Sequence, residues 1–586
     1  MKHAWWVLPL TAMFIAGCSC KGCSNSIDVG SNGSGGGSGG GQSAGGGTGG
    51  GDPTGDEDGG DGTSVIGVDP FGFILDGGSN SSGDGVKPHP DGGITLDSNE
   101  VQLHFMWIAN NTEGTVSKFD TKTGKEVGRY YSVIPINGAG ANNGLTGDPA
   151  YGNSPSRTAI DLYGDMWVAN RAPGTGKQGS ATKIANDVSS CVDRNGNGQI
   201  DTSKDVNGDG VIQPSEMITP TDWANPMQYD ECVLFTTALG NACPDDGCVN
   251  GRAIAISVGI EQGAGDVWVG LWKDQRFYKL RSTDGAIVPV NTAGDLYVSL
   301  GFGPYGAVVD GQGRLWAVAP GERHLALIDT VSGALINDNI TPGGAIGLPG
   351  AYGIAIDGKD RVWLAGWGAG AKAARYDHGP GLGASVGSWT EFDFTNTTSQ
   401  NGTPFGQGRG IAADDKGYIW MSGSYNVAFS ATVAQLIAFD QETGVPKKFQ
   451  TGSGAVDFID ATDAVTGQSI GVGLDGDDQP WVNNYSGNVM RIDRDTGAIT
   501  RTASQTGTLY TYSDFTGYAL RKFVSPRGTY RQDFTGCGAD TEWRSLNWTF
   551  SAPTGTSIEA YVKVANSLAA LNSSSATKYG PFTTPP

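Results

Sequence analysis

The sequence predicts an all-β protein, a seven-bladed β-propeller with a small C-terminal β-sandwich-like module and a disordered N-terminal tether. One unit repeats from residue 93 onward, as in YGAVVDGQGRLWAVAPGERHLALIDTVSGALI at 305, YGIAIDGKDRVWLAGWGAGAKAARYD at 352 and GVGLDGDDQPWVNNYSGNVMRIDRDTGAIT at 471. Each copy reads as a short apolar strand ending in Asp, a Gly/Asp turn, a strand centred on Trp, a variable loop, a third strand ending in Asp, a Thr/Ser-Gly turn and a last strand. The Trp recurs at Trp107, Trp167, Trp268, Trp316, Trp363, Trp420 and Trp481, which makes seven units. A lone four-stranded meander buries too little apolar surface to stand by itself. Seven set radially bury one another and leave only short edges. The tryptophans are therefore assigned to the packing between blades and not to a ligand.

The chain opens with MKHAWWVLPLTAMFIAGCSC, a basic start, an apolar run from Ala4 to Ala16 and small residues before Cys18. That run is too short to span a bilayer and reads as a cleavable signal. Ile15-Ala16-Gly17-Cys18 resembles the lipobox of bacterial lipoproteins. The resemblance implies a signal over residues 1–18, Cys18 as the lipidated N-terminus, and, with Ser19 in place of Asp, an outer-membrane or cell-surface protein held to the membrane by its lipid. Residues 19–92 are dominated by Gly, Ser and Asp, as in GSNGSGGGSGGGQSAGGGTGGGD. Such a segment cannot offset its ordering entropy by burial and is expected to be a flexible tether with a reach of about 45 Å. A formal charge of −22 gives no surface for phosphates, so nucleic acid is excluded as a partner.

The first blade is expected to start at GITLD (93–97), which matches GIAID at 353–357, and the propeller to end at 504. From 505 to 586 the blade signature gives way to alternating segments such as LYTYSDFTGYALRKF and TSIEAYVKVANSL, read as the appended module.

Blade two holds an insertion, residues 188–230, between its third strand (SATKIAND, 180–187) and its fourth (ECVLFTTALG, 231–240). Cys191 and Cys232 stand at the two ends of that insertion, so a disulfide between them would close it at its neck, and Cys243 would pair with Cys248 in CPDDGC. With Cys18 set aside, Cys20, Cys23 and Cys537 remain unassigned. Inside the insertion, Asp205, Asn207, Asp209, Gly210, Ile212 and Glu216 fill positions 1, 3, 5, 6, 8 and 12 of an EF-hand-type loop. Val211 adds a carbonyl and Gln213 an oxygen or a water. Short oxygen-bearing side chains, a glycine for the turn and a closing carboxylate are what structural calcium requires. Asp193, Asn195, Asn197 and Asp201 begin a second such loop, but Lys204 stands where its closing carboxylate belongs; the loop either shares Asp205 or is empty. The flanks show no amphipathic helix to turn binding into movement, so the insertion reads as a clip and not as a sensor.

In a propeller, the loops after the second and fourth strands share one face. Here they vary while the opposite turns, the insertion aside, are uniform. Arg171, Trp272, Trp367, Tyr425 and Tyr485 follow the central tryptophans, and Arg157, Arg252, Tyr305, Tyr352 and Arg409 stand where the first strands leave that face. A ring of arginines and aromatics there suits a sugar or a carboxylated ligand, or alternatively is rim structure that packs on itself. The repeats resemble those of streptogramin lyases (virginiamycin B lyase-like) and of gluconolactonase or NHL propellers. The resemblance covers residues 93 to about 500 but rests on structural positions. That lyase chemistry implies histidine and glutamate at the mouth with Mg²⁺. Only Glu322 and His324 fall in a mouth-side loop, and no second histidine matches the family motif. The reading that follows is a lipid-anchored propeller that binds a glycan or an envelope component without catalysis. A lyase-like or lactonase-like enzyme and a scaffold of an envelope assembly are the alternatives.

Overall fold

A strand flanked by strands on both edges and by blades on both faces can carry no polar face. The second strands of the repeat meet that condition. Phe105–Asn110, Met166–Asn170, Asp266–Leu271, Arg314–Val318, Val362–Gly366, Tyr418–Tyr425 and Pro480–Asn484 are buried along almost their whole length. The computed structural model describes residues 104–519 apart from short loop stretches, together with separate strands on either side of that range. Residues 98–526 form one compact unit, a seven-bladed propeller of antiparallel meanders. Blade five shows the pattern in full: Ala351–Ile356, Val362–Gly366, Lys372–Asp377 and Ser388–Asp393 pair in chain order.

Each central tryptophan packs onto the blade that follows. Trp107 joins Val168 and Ile184 of blade two, Trp167 joins Ile254 and Val269 of blade three, and Trp268 joins Ala307 and Leu315 of blade four. The series continues through Trp316, Trp363 and Trp420. It closes when Trp481 of blade seven packs on Met106, Ile108 and Phe119 of blade one.

The closure differs from the sequence expectation. Blade one consists of Phe105–Asn110, Thr115–Asp120 and Glu126–Tyr131, and its inner strand is supplied by residues 508–515. Trp107 N donates to Phe515 O, Asn111 N to Thr508 O, and Tyr510 N to Ala109 O. Gly93–Leu96, read as the start of blade one, instead pairs with Val86–His89 in the other unit. The propeller therefore does not end at 504. An inner strand taken from the far end of the chain joins first blade to last and leaves no open seam in the ring. Gly471 shows how closely the strands meet there, since a Cβ on it would lie 2.2 Å from Thr511 O.

Blade two carries a long excursion between its third and fourth strands. Ser180–Ile184 pairs with Val233–Ala238, the intervening chain is closed by the Cys191–Cys232 disulfide, and Cys243–Cys248 forms in the loop after the fourth strand, as the spacing predicts. The other unit groups residues 1–97 with 527–586; its described strands pair antiparallel, for example Ala560–Val564 with Thr577–Phe582. The glycine-rich run 20–62 and Cys20, Cys23 and Cys537 lie outside the described residues.

Candidate functional site

Seven inner strands converge on the axis, so whatever side chains stand at their incoming ends must meet. At that end the structure gathers four tyrosines. The Tyr305, Tyr352 and Tyr510 hydroxyls form a triangle of contacts, 2.8 Å from Tyr305 to Tyr510, 2.7 Å from Tyr352 to Tyr510 and 3.0 Å from Tyr305 to Tyr352. Tyr512 stacks on Tyr305 with ring centroids 5.3 Å apart. Trp272 meets Tyr305 edge-on, Trp367 lies against Tyr352, and Tyr485 meets Tyr510.

Four guanidinium groups surround these rings. Arg157 lies 3.8 Å over the Tyr512 ring, Arg252 4.6 Å over Tyr305, Arg171 5.2 Å over Tyr510 and Arg409 5.4 Å over Tyr352. Their hydrogen bonds are few and long: Arg157 to the carbonyls of Tyr512 (3.5 Å) and Tyr352 (3.3 Å), Arg252 to the hydroxyls of Tyr305 (3.3 Å) and Tyr512 (3.2 Å). The Nε atoms of all four are buried without an acceptor, as is the Trp367 indole N–H. Elsewhere this chain pairs its buried guanidiniums with carboxylates: Arg129 with Glu126, Arg314 with Asp310, Arg361 with Asp357 and Arg494 with Asp414. Among the described residues no carboxylate forms such a pair with Arg157, Arg171, Arg252 or Arg409.

The hydroxyls divide by charge environment. Burial, followed by their tyrosine neighbours, pushes Tyr305 and Tyr352 well above the usual phenol range, so both stay protonated donors. Burial opposes ionisation of Tyr510 too. Arg252, the hydroxyls of Tyr305 and Tyr352, and Arg171 outweigh it and bring Tyr510 down to about 7.

The sequence places Arg171, Arg252, Tyr305, Tyr352, Arg409, Trp272, Trp367 and Tyr485 in this ring, and the structure brings them together, the first five buried or half-buried and Tyr485 exposed. Tyr425 ends the second strand of blade six, half-buried. Tyr510 and Tyr512 escape the sequence reading, which gives their segment to the C-terminal module. The signal was present: LYTYSD (509–514) ends in Asp as YGIAID (352–357) does. Glu322 and His324 lie outside the described residues. His378 is buried between Tyr376 and Trp316, with its Nδ1 3.1 Å from the Tyr376 hydroxyl, away from the mouth.

The insertion carries a second constellation. In the downstream loop, Asp205 accepts from the N–H groups of Gly208 and Gly210, and Glu216 accepts from Val206, Asn207 and Gln213. In the upstream loop, Asp193 accepts from Gly196 and Gly198 in the same way. There Glu231, not Asp205, closes the loop: its Oε1 accepts from Arg194 and Asn195 and its Oε2 from Asp201. Loop positions 2, 3 and 9 thus meet Glu231 as they meet Glu216. Beside it, burial pushes Asp230 up to about 6 although Ser203 and Cys232 donate to it. No group of three His, Cys, Asp or Glu side chains poised for a metal is present among the described residues. Loops of this type take much of their coordination from Asn and main-chain oxygens, which Asn195, Asn197, Asn207 and the Val211 carbonyl can supply.

No protein-family model matches the chain, and no curated protein is significantly similar to it. Among solved structures, virginiamycin B lyase from Staphylococcus aureus is 12% identical, with 60% of this chain and 84% of that one covered and a TM-score of 0.37. A streptogramin B lyase is 13% identical over 69% and 95%, TM-score 0.39. A protein from Lactobacillus plantarum is 11% identical over 70% and 98%, TM-score 0.42. The assignment of the fold rests on the strand pairing and the ring of tryptophan contacts.

Proposed function

We propose that this chain is a ligand-binding propeller without catalysis, anchored through a lipid on Cys18 at the outer membrane or cell surface, whose ligand is a glycan or other envelope component held at the arginine and aromatic mouth. The observation that carries the reading is the convergence of four guanidiniums, which pair with no carboxylate among the described residues, with Trp272, Trp367, Tyr485 and Tyr510. Aromatic faces take sugar rings, and guanidinium forks take carboxylate or phosphate. The mouth tyrosines pack on one another, so they form the floor of such a site and the half-buried tryptophans its walls. The direct test is binding of the purified chain to an array of envelope glycans. Trp272→Ala and Trp367→Ala should each weaken a positive signal at least tenfold, and equal binding by both variants would sink the reading.

We also propose that both loops of the insertion hold structural calcium. Glu231 supports this for the upstream loop, since it supplies the closing carboxylate that Lys204 does not. Hard oxygen donors at every loop position suit calcium and not a softer metal.

A further inference from the structure

We propose that the four mouth guanidiniums form a proton-coupled oxyanion site in which the Tyr510 phenolate is the resident counter-ion, displaced when a carboxylate or phosphate group enters. The inference rests on the mouth being the ligand site and goes further, to the charge of the ligand and to its linkage with pH.

A chain with 60 acidic and 38 basic residues has carboxylates to spare, and it pairs its other buried guanidiniums with them. At the mouth it leaves Arg157, Arg252 and Arg409 at 1%, 8% and 6% exposure with Nε unpartnered, and Arg171 beside them half-buried. Burial, then the neighbouring Arg252, holds Arg171 below its ordinary value, a sign that positive charge is crowded there. An uncompensated cluster of buried cations is costly, and something negative has to answer it. The groups that face the cluster are Tyr305, Tyr352, Tyr510 and Tyr512, with Tyr485 against the Tyr510 ring.

Of these, Tyr510 is built for the negative form. Two hydroxyls stand 2.7 and 2.8 Å from its oxygen, and both belong to tyrosines whose protons are held tightly. Each can turn its single proton onto Tyr510, which then accepts two hydrogen bonds while Arg252 and Arg171 supply the field. Its fall to about 7 agrees with that geometry.

The exchange balances simply. Tyr510–O⁻, one anionic ligand and one proton from solvent give Tyr510–OH and the bound anion; the net charge of the site is unchanged for a singly charged ligand and falls by one for a doubly charged one. Above pH 7 the ligand must compete with an internal anion, and its affinity should fall about tenfold per pH unit, as one proton taken up per ligand requires.

The test uses the full chain with three probes, glucuronate, inorganic phosphate and neutral glucose. Calorimetry at pH 8 in buffers of different ionisation enthalpy counts protons, and tyrosinate absorbance follows Tyr510. The expected result is one tyrosine titrating near pH 7 in the free protein, loss of its tyrosinate signal with uptake of close to one proton on binding an anion, and no such response to glucose. Glucuronate binding alone identifies a carboxylated saccharide as the ligand class, and phosphate binding alone identifies a phosphorylated one. Tyr510→Phe, which keeps the ring, should bind the same anion with no proton uptake and with affinity flat above pH 7. Arg171→Gln, at a half-buried position, should bind at least tenfold more weakly. Anion binding without proton uptake, or unchanged pH dependence in Tyr510→Phe, overturns the exchange and leaves the mouth site standing. Failure of every probe to bind at pH 6 overturns the mouth site and the exchange with it.

Discussion

At the residue scale, the repeat is held by one device used again and again. In five blades the Asp that ends the inner strand accepts the indole N–H of the tryptophan six residues on: Asp161 at 3.0 Å, Asp310 at 2.8 Å, Asp357 at 2.8 Å, Asp414 at 3.0 Å and Asp475 at 2.9 Å. In blade three, Ser257 takes that role for Trp268. Each buried carboxylate also needs a cation, and the chain supplies Lys183, Arg314, Arg361, Arg494 and Arg491 in turn. Asp310→Ala would strand the Arg314 guanidinium, which is 1% exposed, and should cost about 3–5 kcal/mol. Trp316→Phe keeps the ion pair and most of the packing and should cost about 1–2 kcal/mol. Urea melts of the two variants should fall in that order; equal losses would mean that the hydrogen bond and not the ion pair carries the tie. Tyr510 adds a pH dependence of definite sign. Its folded value lies below the ordinary phenol value of about 10, so its contribution to stability is absent below about pH 7 and grows as pH rises from 7 toward 10. Melting curves of wild type and Tyr510→Phe should diverge over that window, with wild type gaining. Parallel curves would place the charge elsewhere.

At the level of elements, most of the blades were legible because each copy carries its own marks, the Asp, the turn glycines and the Trp. The neck of the insertion was legible too, because two cysteines bracket a run that no blade needs. What escaped were partnerships between distant segments. Glu231 closes the upstream calcium-type loop from 15 positions beyond Glu216, past the end of the insertion and beside Cys232, where a loop motif read in consecutive residues cannot reach it. That partnership makes a sharp prediction. Calorimetric titration of the calcium-stripped chain should give two calcium ions for wild type and one for Glu231→Gln, whereas Lys204→Ala should still bind two. Retention of both ions in Glu231→Gln would show that Asp205 is shared after all. Chelation should raise proteolysis over 193–216 and leave the propeller folded, since the insertion is tied independently by Cys191–Cys232.

For the molecule as a whole, the question is what keeps seven sheets from opening as a spiral. Six of the seven inner strands belong to their own units, and adjacent blades hold each other through the tryptophans. The seventh comes from residues 508–515, and the same segment brings Tyr510 and Tyr512 to the axis. Fold closure and the candidate site therefore depend on one stretch of chain, which reads as the start of another module because its neighbours in sequence are not its neighbours in space. Leu509, Tyr512 and Phe515 are at most 2% exposed, and burying side chains of that kind contributes about 1.5–3 kcal/mol each. With the three main-chain bonds to the Trp107 strand and its neighbours, the sum is comparable to the roughly 5–15 kcal/mol that holds a typical domain together. A chain ending at 504 should lose its cooperative melt and expose blade one to proteolysis, while one ending at 526, the limit of the compact unit, should melt close to the full chain. A folded and cooperative chain ending at 504 would show that the tryptophan contacts between blades seven and one close the ring unaided. Adding a peptide of residues 505–526 back to the shorter chain separates the two roles. It should restore both the melt and the tyrosinate signal, because a strand that zips the ring also delivers the phenol to its arginines.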